Sequence, residues 1–344
     1  MSAKADTVVL EARNVSQHFR FRAHPGSRAK WLEVVSGVSF RLERGEILAI
    51  VGESGAGKST LARSLLQMPR PTSGAVLLHD CDLTQLRGSQ LREKWRHIQM
   101  IFQDPVGSLD PKWRVSSIVE EPLIGYGLGH GAARKRRVEQ VLEAVGLPGP
   151  AYARRRRGEL SGGECQRVAI ARALAPDPSV IICDEALSSL DALSQAEILH
   201  LLDGLRSSAG ISCLFISHDL NVVKHISDRV AVMYGGQLVE VGPADSLHGA
   251  AAHPYTSSLL ATLATPGIGD AAGPDDDEPA SSTASLGGCR FRSHCPRAQD
   301  RCAAETPRLQ PVENDHFVAC HFPLAIESVL RQPSAIYAKQ SISA

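Results

Sequence analysis

Three short apolar runs punctuate the chain: Ile47 to Val51, Ser179 to Cys183 and Ser212 to Ser217. Runs of this length without polar alternation predict strands buried on both faces. Alternating segments at Thr7 to Leu10 and Val34 to Leu42, closed by a turn at Gly45-Glu46, predict an antiparallel sheet beside the first run. Residues 74 to 79 and 99 to 103 predict two further short strands. Arg229 to Tyr234 and Gln237 to Val241, joined by Gly235-Gly236, predict a two-residue hairpin. Helical spacing dominates from about 112 to 157, with Val138, Val141, Leu142 and Val145 on one face. Helices are also predicted from Leu61 to Met68, stopped by Pro69, from Ser161 to Leu174, stopped by Pro176 and Pro178, and over 192 to 207.

Composition narrows this picture little. A chain of 344 residues, 43% hydrophobic, suits one large domain with a small one, or two domains. Lys+Arg and Asp+Glu both total 37, so charge gives no argument for nucleic acid. Met1 to Val9 lacks a signal pattern, and no apolar run approaches the ~20 residues that span a bilayer. The expectation is a soluble, cytoplasmic chain with reduced thiols.

The strand ends carry the chemistry. Ile47 to Val51 feeds Gly52-Glu53-Ser54-Gly55-Ala56-Gly57-Lys58-Ser59-Thr60, the G-x-x-x-x-G-K-[ST] phosphate loop in its strand-loop-helix setting. Its glycines let backbone N–H groups turn toward phosphate oxygens. Lys58 would reach the β- and γ-phosphates, and Ser59 would ligate Mg²⁺. The second buried strand ends in Asp184-Glu185, a metal ligand and a base for the attacking water. The third ends in His218, placed to donate to the γ-phosphate. Gln103 would reach a metal-bound water from its strand end. Ser161 N-caps a helix whose Gly162 and Gly163 leave its start uncovered, which suits an anion arriving from another chain. Phe19 and Phe21, on a basic stretch between the two alternating segments, offer either adenine stacking, Phe19 first, or core packing. Arg154 to Arg157 read as a solvated face or as a contact for a partner protein or anion.

In order, Gly52 to Thr60 (Walker A), Gln103 (Q-loop), Leu160 to Glu164 (signature), Val180 to Glu185 (Walker B), Ser188 to Asp191 (D-loop) and His218 (H-loop) resemble the ATPase subunit of an ATP-binding cassette transporter over roughly residues 7 to 248. Glu164-Cys-Gln-Arg167, Ile182-Cys-Asp-Glu185 and His253-Pro-Tyr-Thr256 resemble the dipeptide/oligopeptide importer branch, which nickel and glutathione importers share. Ala186-Leu187, Ser189 and Arg156-Arg157-Gly158 depart from that branch and leave the catalytic pair intact.

The resemblance implies an α/β fold: a RecA-like P-loop core, an antiparallel β subdomain, an inserted helical subdomain over about 85–160 and a small cysteine-rich C-terminal domain. It implies ATP and Mg²⁺, with Lys58, Gln103, Glu185 and His218 catalytic and Ser59, Gln103 and Asp184 around the metal. Ser161, Gly162, Gly163 and Glu164 would act on the nucleotide of a second ATPase subunit, a different chain, with Asp191 at the junction. Two permease subunits, an extracytoplasmic solute-binding protein and a place on the cytoplasmic face of the bacterial inner membrane follow. The rival is a non-transport ATPase acting on DNA or ribosomes. The ~100 residues between Walker A and the signature lack the long heptads of DNA clamps, and the chain has one cassette, not two. A second rival, an iron–sulfur redox protein with a vestigial cassette, is opposed by the intact Asp184, Glu185 and His218.

The ATPase domain is expected over 1–264. An acidic Gly/Pro/Ser-rich linker over 265–288 leads to a four-cysteine domain, 289–323, and a tail, 324–344. Cys289, Cys295, Cys302 and Cys320 are spaced C-x5-C-x6-C-x17-C. Four thiolates suit a 4Fe–4S cluster or tetrahedral zinc, and the lack of a C-x2-C knuckle weighs against zinc. The extension of peptide-importer ATPases, which this segment resembles, carries a 4Fe–4S cluster in some members. His321 stands adjacent as an alternative ligand.

Overall fold

A computed structural model describes residues 7–22, 24, 29–188, 190–264, 287–313 and 315–324. The tail from 325, position 189 and all of the expected linker except Gly287 and Gly288 lie outside them. In chain order the elements are β1 (Val8–Phe21), β2 (Lys30–Glu43), β3 (Ile47–Val51), α1 (Lys58–Leu65), β4 (Ser73–Leu78), β5 (Cys81–Asp82), α2 (Gly88–Trp95) and β6 (Ile98–Ile101). There follow α3 (Val115–Gly125), α4 (Ala132–Ala144), α5 (Pro150–Arg154), α6 (Gly162–Leu174), β7 (Val180–Asp184), α7 (Ala192–Ala209), β8 (Ser212–Ser217) and α8 (Leu220–Ile226). The chain closes with β9 (Arg229–Tyr234), β10 (Gln237–Pro243), α9 (Ala244–Gly249), α10 (Pro254–Ala264), α11 (Asp300–Ala304), β11 (Gln310–Glu313) and β12 (His316–Val318).

Two compact units form, each from three stretches of chain. The first comprises Met1–Glu11, Arg41–Ile47 and Val76–Ile216. Three of its strands run parallel in the order β8-β7-β6, with Ile182 registered on Met100 and on Leu214, while Leu77 and Leu78 of β4 pair antiparallel with β5. Every residue of β7 and β8 is buried, as unbroken apolar runs require of a parallel sheet. The predicted helical stretch is three helices, α3 to α5. Val138, Val141, Leu142 and Val145 do form a buried face.

The second unit comprises Ala12–Phe40, Leu48–Ala75 and Ser217–Ala344. β3 runs parallel to β9 with Ile50 opposite Ala231. β9 and β10 form the predicted hairpin, with Tyr234 opposite Gln237. The C-terminal segment adds to this sheet: β12 pairs with β10, Glu240 opposite Val318, and β11 pairs with β12.

β1 runs past the predicted Leu10 and takes in Phe19 and Phe21, which the sequence pattern placed between two strands. Asn14 adopts φ +48 and breaks the alternation. Side chains carry the pairing there: Asn14 N–H donates to Ser39 Oγ at 2.8 Å and Gly37 N–H to Ser16 Oγ at 2.9 Å. Helix α1 also stops earlier than predicted, because Gln67 turns to φ +63.

His253 sits 1% exposed, and burial, opposed by the nearby Glu240 charge, lowers its pKa to about 4. A histidine depressed in the folded state is protonated more readily when unfolded. Its contribution, at most about 3 kcal/mol, is therefore full above pH ~6.5 and drains away as pH falls toward 4. Urea titrations at pH 7 and pH 4.5 should show the midpoint falling. For a His253→Gln variant the fall should be smaller.

Candidate functional site

The phosphate loop lies in the second unit. β3 is fully buried and runs into Gly52, Gly55 and Gly57, at φ +154, +81 and +98. A Cβ on Gly52 would stand 2.1 Å from the Met233 carbonyl oxygen, and one on Gly57 2.5 Å from that of Val34. Only glycine fits either position. Lys58 opens α1 at 4% exposure. Its Nζ donates to the carbonyls of Gly52 (2.6 Å) and Glu53 (2.8 Å), which keeps a buried ammonium paired. Ser59 and Thr60 follow, half-buried, on the first turn, while Glu53 and Ser54 face solvent and Ala56 is buried. A glycine-shaped loop at a helix N-terminus with an inward lysine is a phosphate cradle. Phe19 and Phe21 point out of β1 at 38% and 42% exposure. Neither is packed in the core. His218, exposed, follows the last residue of β8, and Asp219 beside it caps α8 by accepting from Asn221 and Val222 N–H.

The first unit presents the carboxylates. Asp184 ends β7 at 1% exposure. Glu185 adopts φ +47, a left-handed turn that is rare for a side chain of this size. Its N–H donates to the Ile216 carbonyl at 3.0 Å. The turn presents its carboxylate to Gln103, whose Nε2 donates to Glu185 Oε2 at 2.9 Å. Two residues 82 positions apart, singled out separately in the sequence, thus meet.

The signature stretch starts α6 with a reciprocal cap. Ser161 Oγ accepts from Glu164 N–H at 3.2 Å, and Glu164 Oε2 accepts from Ser161 N–H at 2.8 Å. Tyr152 Oη donates to Glu164 Oε1 at 2.9 Å. The Ser161 amide, first, and this phenol hold the Glu164 carboxyl below its usual range. Glu164 is engaged within its own chain. Ser161 and Gly162 are exposed and Gly163 half-exposed. Asp191 is the N-cap of α7, accepting from Ser194 N–H (3.0 Å) and Oγ (2.8 Å). The arginine run is not one solvated face. Arg155 stacks 4.3 Å from the Tyr152 ring centroid, and Arg157 donates to the Val106 carbonyl at 3.2 Å, while Arg154 and Arg156 are exposed. Nearby, a cavity of about 650 Å³ is lined by Ser116, Glu120, Val138, Leu142, Pro150 and Arg154.

Cys289, Cys295, Cys302 and Cys320 are all free thiols. Burial pushes the Cys320 thiol up, and the charges of Cys289, Cys295 and Cys302 push it further. Cys289 N–H donates to the Cys302 carbonyl at 2.7 Å. Among the described residues, no group of three or more His, Cys, Asp or Glu side chains is arranged to hold a metal ion as it stands. No described helix is long and apolar enough to cross a membrane.

The chain is also similar to known proteins. Residues 35–188 match the family model described as "ABC transporter", and residues 239–302 match "Oligopeptide/dipeptide transporter, C-terminal region". A probable peptide ABC transporter ATP-binding protein of Sinorhizobium fredii is 44% identical over 307 residues, 89% of this chain and 87% of that protein. The oligopeptide transport ATP-binding protein AppF of Bacillus subtilis is 39% identical over 93% of this chain and 99% of its own. The dimeric post-hydrolysis structure of the ATP-binding cassette MJ0796, bound to ADP and Pi, superposes with a TM-score of 0.61 at 28% identity. It covers 68% of this chain and 98% of its own.

Proposed function

The chain belongs to the ABC transporter ATPase family, and on that premise we propose that it powers uptake of di- and oligopeptides through partner permeases at the cytoplasmic face of the membrane. It is a P-loop ATPase of α/β fold that uses ATP with Mg²⁺. The observation that carries the peptide reading is the match of residues 239–302 to the C-terminal region of oligopeptide/dipeptide transporters, in a chain that also holds the phosphate loop and the Gln103–Glu185 contact.

In this reading Gly52 to Thr60 bind the phosphates and Phe19 stacks on the base. Ser59, Asp184 and Gln103 are the residues that would hold Mg²⁺, which would supply neutralisation of phosphate charge. Glu185 polarises the attacking water, and His218 donates to the γ-phosphate. Ser161, Gly162 and Gly163 offer the exposed start of α6 to the nucleotide of a second ATPase subunit. The groove above Val138 and Leu142 receives a permease segment. Catalysis by such a site is positioning and electrostatic stabilisation. Copurification with the two permeases, followed by ATPase assays in proteoliposomes with the solute-binding protein, tests this. The expected result is stimulation by peptides. Stimulation by nickel or glutathione alone would reassign the solute, and failure to associate with any permease would remove the transport role.

The four cysteines match a 4Fe–4S cluster in donor type and number, and the Cys289 N–H to Cys302 carbonyl bond at 2.7 Å ties two of their backbones together. Anaerobically purified protein should contain about four irons and four sulfides per chain, the content of that cluster type, and absorb near 400 nm. Zinc alone, or neither metal, would overturn this assignment.

A further inference from the structure

The cysteine segment reaches the phosphate loop by two short chains of contact, both within the second unit. The first is aromatic. Phe291, 7% exposed, stands edge-on to Tyr234 with ring centroids 5.2 Å apart, and its centroid is 5.5 Å from that of Tyr255. The two tyrosine rings are 4.7 Å apart. The Tyr255 hydroxyl accepts the Glu53 N–H at 2.9 Å, a contact spanning 202 positions.

The second chain is polar. The Arg290 guanidinium donates to the Gly235 carbonyl and, at 2.5 Å, to Glu33 Oε2. Gly236, the next residue of that turn, donates its N–H to the Ala56 carbonyl at 3.0 Å and accepts from Ser36 N–H at 2.9 Å. A Cβ on Gly236 would fall 2.5 Å from the Val34 carbonyl oxygen and 3.1 Å from Arg290 Nη1. The turn is therefore closely packed between Val34 and Arg290. Glu33 Oε1 lies 3.4 Å from Nε2 of His18, the neighbour of Phe19.

A phosphate loop grips its ligand with peptide N–H groups, so the orientation of each peptide plane sets affinity. Here the peptides at Glu53 and Ala56 are held from behind, by Tyr255 and by the Gly235-Gly236 turn. Neither holder belongs to the nucleotide motifs. We propose that Tyr255 and Arg290 are positioning residues for nucleotide binding, through which the arrangement of the four-cysteine segment is transmitted to the phosphate loop. The proposal rests on the reading of that loop as the ATP site, and it assigns the C-terminal segment a part in ATP affinity as well as in architecture.

The test uses the full chain and Mg·ADP, which is not turned over. Tyr255→Phe and Arg290→Ala should each weaken Mg·ADP binding roughly 3- to 10-fold, the loss of about one hydrogen bond. Arg290→Lys, which keeps one donor, should recover part of the loss. In steady-state assays the KM for ATP should rise more than kcat falls. The double variant Cys289→Ser, Cys295→Ser should weaken Mg·ADP in the same direction. Unchanged affinity in Tyr255→Phe and Arg290→Ala, beside a wild type that binds Mg·ADP, would overturn the proposal, and a lowered melting temperature with affinity intact would mark these contacts as structural only. A wild type that failed to bind Mg·ADP would instead strike the ATP reading beneath it.

Discussion

Glu185→Gln is expected to lower the ATPase rate of the assembled transporter by about 10²-fold or more while leaving ATP binding intact. The side chain sits at the end of β7 on a left-handed backbone, and its Oε2 accepts from Gln103. Glutamine has the same size and retains one carbonyl oxygen. The contact with Gln103 can therefore persist, and neither the strand nor the turn at φ +47 is disturbed. What is lost is the capacity to take a proton from water, and positioned general bases contribute about 10² to 10⁴ in rate. Gln103→Ala is the companion. It frees the Glu185 carboxylate from its orienting partner and should cost less, on the order of 10-fold, since the base itself remains. Phosphate release in a single turnover, measured beside nucleotide affinity, separates the two effects. A Glu185→Gln complex that turns over at nearly the wild-type rate would move the base elsewhere.

The residues that meet ATP in this reading were legible because their signals are local. Gly52 to Lys58 encode a turn, a helix start and a cation within seven positions, and steric need for glycine at Gly52 and Gly57 is written into the spacing. The buried strands were legible for the same reason, as short apolar runs. Other features depend on partners remote in sequence. Glu164, expected at a surface offered to another chain, has its carboxylate held by Ser161 and Tyr152; the Ser-x-x-Glu spacing of a capping box is the signal for the first of these contacts. Asp191 likewise carries the signal of an N-cap, three residues before Ser194. Asn14, at φ +48, interrupts the hydrophobic alternation of β1, so the sequence pattern leaves Phe19 outside the strand. Tyr255 belonged to a recognised motif, but its duty toward Glu53 had no signature, since no periodicity connects positions so far apart.

Glu240 is the residue whose loss should damage the fold most. It is 0% exposed on β10, and it accepts the N–H of Ala252 at 2.6 Å and of His253 at 2.9 Å. His316 Nε2, on β12, lies 2.7 Å from the same carboxylate. One side chain thus joins the hairpin strand, the segment leading into α10 and the strand brought by the cysteine region. Leucine is similar in size but accepts nothing, so Glu240→Leu would leave two buried backbone donors and the imidazole without their acceptor. Each orphaned group costs about 1–3 kcal/mol, and breaking a buried hydrogen-bonded charge from one side typically costs about 3–5 kcal/mol. Glu240→Gln keeps a single acceptor oxygen and turns an NH₂ toward remaining donors, so it should lose about half as much. The urea midpoint should therefore fall in the order wild type, Gln, Leu. Because Tyr255 follows His253 by two residues and donates its own N–H to His253 Nδ1 at 3.0 Å, the Leu variant should also weaken Mg·ADP binding, through displacement of the Tyr255 hydroxyl from the Glu53 amide. A Leu variant as stable as wild type would show that this carboxylate is replaceable and that the C-terminal strand is held by its backbone pairing alone.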